Sequence, residues 1–192
     1  KQISNWKGSA SINLEPGENI SVLNLIYSMM LVSANDSLFA LAEFICGSLD
    51  KFAVMMEEKA KEIGADDTVI ASSDGKFTSE QYSNAYDLAI ICRYCMTNSM
   101  FRIIAASDKY TIPATNLNGP REIQNTNLLV NSRNRRYRYE TAIGIKSGYT
   151  ARSKSCLACS ALPPAGKFGE EVLAIILGAE NTKQMKYVFY DA

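Results

Sequence analysis

A chain of 192 residues without a single histidine lacks the side chain that most often carries protons in hydrolytic enzymes. A Ser-His-Asp triad, a Cys-His dyad and every His-containing metal site are excluded, so acid–base chemistry must run through lysine, carboxylates, tyrosine or cysteine. Two short stretches hold such groups at useful spacing. In "LVSANDSLFALAE", Ser33 and Asn35 place a hydroxyl and an amide at i and i+2, in a break between two apolar runs of helical period. In "GIKSGYT", Lys146 interrupts an apolar strand and is followed by Ser147 and Gly148. An ammonium beside a hydroxyl is an anchor for a carboxylate, and glycine lets a ligand backbone lie close to the strand. Each stretch also has an ordinary reading: Ser, Asn and Asp favour helix N-termini, and lysine guards many edge strands.

Other reactive groups point less clearly to a site. Five cysteines include two C-x-x-C pairs, Cys92/Cys95 and Cys156/Cys159. Residues 96 to 155 separate the pairs, far more than the roughly 15 to 20 residues of common four-cysteine zinc sites. The first pair lies in a helical pattern, and the second in a strand where positions 156 and 159 face opposite ways. Ordinary thiols are therefore expected, with a disulfide left open and at least one thiol unpaired. Arg133, Arg135, Arg136 and Arg138, interleaved with Tyr137 and Tyr139, form one short basic run in a chain of 20 basic and 20 acidic residues. That reads as a solvated loop, and the balanced charge supplies no field for nucleic acid or an anionic membrane. No cofactor or metal is implied. No apolar run approaches the ~20 residues of a membrane span, and "KQISNWKGSAS" has no signal-peptide core.

The elements that must position these residues can be read in outline. With 47% apolar residues, the chain is one domain's worth of sequence with material for a core. Ser21 can cap a helix running to about Leu31, Asp36 can start another ending at Gly47, and Ser48 or Asp50 opens a third stopped by Gly64. The polar loop "GADDTVIASSDGKFTSEQ" leads to a fourth helix from about Ser83 to Met96, and a fifth runs from Ser99 to about Ala106. The pattern then changes. "KYTIP" reads as a strand, 114 to 139 as loop-rich, and "AIGIKSG", "KSCLACSAL" and "EVLAIILGA" as three strands divided by turn residues that include Pro163, Pro164 and Gly166. The last two strands form a hairpin. Ser33, Ala34 and Asn35 thus become a tight turn between helices, buried within an apolar layer.

"SAN" at 33 to 35 and "KSG" at 146 to 148 resemble the second and third of the three motifs shared by penicillin-binding proteins and serine β-lactamases, written S-x-x-K, S-D-N and K-T-G. The longer stretches "LEPGENISVLNLIYSMMLVSANDSLFALAEFICGS", "YSNAYDLAIICRY" and "TAIGIKSGYTARSKSCLACSAL" are similar to the low-molecular-mass D-alanyl-D-alanine carboxypeptidases. The likeness runs from about Gly8 to the C-terminus, and the 113-position separation of Ser33 and Lys146 suits that family. It implies an α+β transpeptidase fold of the penicillin-binding-protein and β-lactamase type, a helical cluster packed on an antiparallel sheet. The activity implied is removal of the terminal D-alanine from peptidoglycan stem peptides through a penicillin-sensitive acyl-enzyme, outside the cytoplasmic membrane of a bacterium. A β-lactamase or endopeptidase of the same fold, or a non-catalytic peptidoglycan-binding relative, are the alternatives; against the β-lactamase, no counterpart of its deacylating Glu loop is found.

Carried over by motif, the resemblance gives Ser33 a proton relay and Asn35 a hydrogen bond to the substrate's peptide amide. Lys146 supplies positive potential and Ser147 a hydroxyl for the terminal carboxylate. Gly148 belongs to the same motif, and the Tyr149 N–H is one arm of an oxyanion hole. The family's nucleophile is the serine of S-x-x-K, well upstream of S-x-N. Ser4 to Lys7, Ser48 to Lys51 and Ser73 to Lys76 match the spacing but none has the expected flanks. The expectation is that the nucleophile is encoded before Lys1, so that residues 1–192 form a partial catalytic domain, incomplete at both ends and inactive alone. Such a piece should expose apolar surface. Many members continue into a second β-rich domain and an amphipathic membrane anchor.

Overall fold

In a computed structural model, the described residues are 10–76, 78–164, 169–180 and 187–189. Five helices come first: α1 (Val22–Val32), α2 (Asn35–Cys46), α3 (Leu49–Glu62), α4 (Ala85–Met96) and α5 (Ser99–Ala106). Local chemistry sets their ends. Ser21 Oγ accepts the Asn24 N–H at 3.2 Å, Ser48 Oγ that of Lys51 at 3.2 Å, and Asn98 Oδ1 those of Met100 and Phe101 at 3.0 and 3.1 Å. Gly47, left-handed at φ 76°, closes α2. The expected starts shift slightly. α2 begins at Asn35 rather than Asp36, and Asn84 caps α4, so that helix opens at Ala85.

Two antiparallel sheets follow. β1 (Lys109–Ile112) pairs with β2 (Arg121–Gln124), a strand inside the stretch read as loop. β3 (Ala142–Thr150), β4 (Lys154–Ala161) and β5 (Val172–Ala179) form a second sheet in chain order, with β4 and β5 as the expected hairpin. Gly166, expected in the turn between them, lies outside the described residues.

One core fills the space between α1, α5 and the β1–β2 hairpin, with Leu31, Ile104 and Ile112 fully buried beside Ile12, Leu14, Leu25 and Ile123. A second, around Leu129, Tyr137, Leu157 and Val188, packs on the larger sheet. The two halves meet where α5 lies against β3. Gly144, at φ 129°, approaches so closely that a Cβ there would stand 2.8 Å from the Ala105 Cβ. Asp36, buried at the first turn of α2, accepts from Ser11 Oγ (2.7 Å), Ile12 N (3.1 Å) and Leu14 N (2.9 Å), and so ties the segment before α1 to the helical layer. Apolar side chains also face outward, among them Phe44 at 77% exposure, Val54 at 58% and Ile103 at 57%. Among the described residues no single helix is long and apolar enough to cross a membrane.

Candidate active site

Helix α1 ends in an unusual residue. Ser33 adopts φ 56°, ψ 37°, the left-handed region that costs a side-chain-bearing residue and that glycine or asparagine normally fills. Its N–H donates to Met29 O at 3.1 Å and the Ala34 N–H to Ser28 O at 3.2 Å, which closes the helix and turns the Ser33 side chain outward. The turn is therefore not buried as the sequence suggested: Ser33 is exposed and Asn35 half-buried, on a layer made rigid by Leu31 and Ala34 beneath. Asn35 N–H donates to Ala10 O at 2.8 Å. Among the described residues its side-chain amide has no protein partner.

Lys146 reaches this turn from the other half of the molecule. It sits in the middle of β3, opposite Ala158 of β4, and its Nζ donates to Ser33 Oγ at 2.6 Å and to Ser147 O at 2.7 Å. Burial pushes its ammonium down to about 8. The amine is thus charged at neutral pH but lies within reach of deprotonation, and when neutral it can accept the Ser33 hydroxyl proton along the same 2.6 Å contact. Ser147 is half-buried, and its hydroxyl has no protein partner among the described residues. Gly148 and Tyr149 follow at the exposed end of the strand, and a Cβ added at Gly148 would meet nothing within 4 Å. Ser33 and Lys146 are in contact, with Asn35 two positions after Ser33 and Ser147 directly after Lys146; Gly148 and Tyr149 continue the line of β3.

The matches to S-x-x-K occupy other roles. Ser48 caps α3, and Lys76 pairs with Asp74 at 3.1 Å beside Ser73 in the polar loop before α4. Ser4 to Lys7 lies outside the described residues. The Arg-rich stretch is partly paired: Arg133 binds Glu122 at 2.9 Å, and Arg136 lies over the Tyr137 ring at 5.4 Å. The cysteines carry free thiols, and burial pushes Cys92 up to about 12, which keeps it protonated and unreactive. A cavity of about 710 Å³, walled by Tyr137, Ala161, Leu162, Val172 and Phe189, opens on the larger sheet without including any residue of the Ser33–Lys146 group.

One neighbour escaped the sequence reading. Thr126, in the turn after β2, donates both its N–H (2.9 Å) and its Oγ (3.0 Å) to Leu31 O, two residues before Ser33. The only local signal was the Asn-Thr-Asn run at 125 to 127, which reads as an ordinary turn.

In sequence and fold the chain is similar to known D-alanyl-D-alanine carboxypeptidases and a DD-transpeptidase. The chain is 32% identical over 178 residues to the D-alanyl-D-alanine carboxypeptidase DacF of Bacillus subtilis, covering 92% of this chain and 43% of that protein. A Streptomyces D-alanyl-D-alanine carboxypeptidase is 29% identical over 191 residues, 90% of this chain and 62% of its own. A variant of a Streptomyces DD-transpeptidase superposes with a TM-score of 0.79 at 28% identity, over 90% of this chain and 66% of that one. The D-alanyl-D-alanine carboxypeptidase of Mycobacterium tuberculosis gives a TM-score of 0.82 at 25% identity, over 98% and 67%. The chain thus spans about 43% to 62% of the length of these two sequence relatives. The pattern of peptidase S11, D-alanyl-D-alanine carboxypeptidase, matches residues 1–181, and the chain belongs to that family.

Proposed function

We propose that this chain supplies the S-x-N and K-S-G side of the active site of a serine D-Ala-D-Ala carboxypeptidase, penicillin-sensitive and acting on peptidoglycan stem peptides outside the cytoplasmic membrane. The observation that carries the reading is the 2.6 Å contact from Lys146 Nζ to Ser33 Oγ, made between a helix end and a strand 113 residues apart. Family membership supplies the reaction class.

In the reaction, a serine hydroxyl attacks the carbonyl of the penultimate D-alanine. The C–N bond to the terminal D-alanine breaks, and water later hydrolyses the ester. The Lys146 ammonium and the Ser147 hydroxyl draw in the terminal carboxylate, and Asn35 orients the peptide amide. The leaving nitrogen needs a proton, and Ser33 passes one on from Lys146, whose lowered affinity makes it a competent donor. The N–H of Tyr149 faces the oxygen on which negative charge develops. A β-lactam follows the same first step, but its opened ring stays attached. Ser48 and Ser73 stand in cap and loop roles, and neither is assigned as the nucleophile.

Intact mass with and without benzylpenicillin tests this. A protein that includes the upstream S-x-x-K gains one covalent adduct, and Ser48→Ala and Ser73→Ala keep it. No adduct on that protein overturns the assignment as an acyl-transfer enzyme, and loss of the adduct in Ser48→Ala or Ser73→Ala overturns the assignment of the nucleophile.

A further inference from the structure

The Ser33–Lys146 contact joins a helix terminus to a strand with which it shares no regular hydrogen-bonded structure, so something must hold the two in register. The last carbonyls of a helix have no partner within it. In α1 the turn at Ser33 satisfies those of Met29 and Ser28, while Leu31 O receives two donors from Thr126, its N–H and its Oγ. Two donors on one carbonyl fix the direction of the helix end as well as its distance. Thr126 is exposed, so its hydroxyl has water as an alternative, and nothing in the burial of the chain requires the second bond.

The residue before it grips the other side. Asn125 is 2% exposed, and its Nδ2 donates to Ser107 O at 2.9 Å and to Ala105 O at 3.4 Å, the carbonyls at the end of α5. Ala105 is the residue that meets Gly144, two positions before Lys146 on β3. The Asn125 N–H donates to Asp108 O at 2.8 Å, its Oδ1 accepts from Asn127 N at 2.9 Å, and its carbonyl accepts from Asn131 Nδ2 at 2.6 Å. Five bonds therefore lock this one residue between α5 and its own loop. Two adjacent residues thus hold the termini of two helices, one carrying Ser33 and the other packed against the strand of Lys146.

We propose that Asn125 and Thr126 are positioning residues that set the Ser33–Lys146 contact, Thr126 by holding the end of α1 and Asn125 by holding the end of α5 against β3. The inference rests on the reading of Ser33 and Lys146 as the proton-relay pair, but the geometry it describes can be measured without turnover. If the clamp loosens, the Ser33 turn moves off Lys146, water reaches the amine, and its proton affinity rises.

Thr126→Val removes one donor and leaves the other, so the chain keeps its fold, whereas Asn125→Ala also strips buried bonds and lowers stability. The measurement is the titration of Lys146, followed by NMR with ¹³C-labelled lysine in the protein that carries its S-x-x-K segment, beside urea unfolding. Thr126→Val is expected to move the midpoint upward from about 8 by half a unit or more while the unfolding midpoint holds, and Thr126→Ser to restore it. An unchanged titration in Thr126→Val, or a shift that Thr126→Ser leaves in place, overturns the proposal. The reading beneath it fails separately, when Lys146→Ala in the acylating protein reacts with penicillin as before.

Discussion

Lys146 Nζ stands 2.6 Å from Ser33 Oγ, and the ammonium is held there by burial at a cost that the rest of the fold must cover. Its affinity for a proton is lower in the folded chain, about 8, than the 10.5 of an unconstrained lysine. The unfolded chain therefore binds more protons between those values, and stability gains from this group as pH rises from about 8 to 10.5. Lys146→Met removes the penalty. The variant should be more stable at pH 7 by roughly 1 to 3 kcal/mol, with the difference shrinking above pH 8 and gone near pH 11. Urea unfolding across that range reads it, and a less stable variant at pH 7 would show that the amine's bonds outweigh its burial.

Two glycines of β3 are predicted to behave oppositely. Gly144→Ala forces a Cβ to within 2.8 Å of Ala105 at a φ of 129° and should cost about 2 kcal/mol or more. Gly148→Ala enters open space and should change stability by less than about 0.5 kcal/mol. Its effect belongs to ligand access: slower penicillin acylation at unchanged melting temperature. Equal losses of stability in both would remove the argument that Gly148 is kept open for a ligand.

Asp36 should be structural despite its place in the S-A-N-D stretch. Asp36→Ala leaves the Ile12 and Leu14 N–H groups without their acceptor, and both residues are buried in the core. A loss of about 3 to 5 kcal/mol is expected in urea unfolding. A loss below about 1 kcal/mol would mean that residues 10–14 are not anchored through this carboxylate.

Much of the helical half was legible because its boundaries are written locally. Ser21, Gly47, Ser48 and Gly64 act through bonds or dihedrals within four residues of themselves. β2 escaped because "REIQ" has one apolar residue in four, and it becomes a strand only by pairing with β1 at its side. Asp36 looked like a helix-start residue and does lie in the first turn of α2, yet its main partners are 22 to 25 residues earlier. The site itself followed the same division. Its residue types were visible in two motifs, but the approach of Ser33 to Lys146 depends on α5 packing against Gly144 and on the Asn125–Thr126 turn, contacts that no sequence period encodes.

The central claim, that Lys146 and Ser33 form the working pair of an acyl-transfer site, is tested most directly by one rate. Benzylpenicillin acylation is measured for Lys146→Ala in the protein that carries its S-x-x-K segment, with thermal unfolding run alongside. The account predicts a fall of about 100-fold or more in the acylation rate, with the melting temperature unchanged or raised. Acylation at the parent rate in a folded Lys146→Ala protein would contradict it.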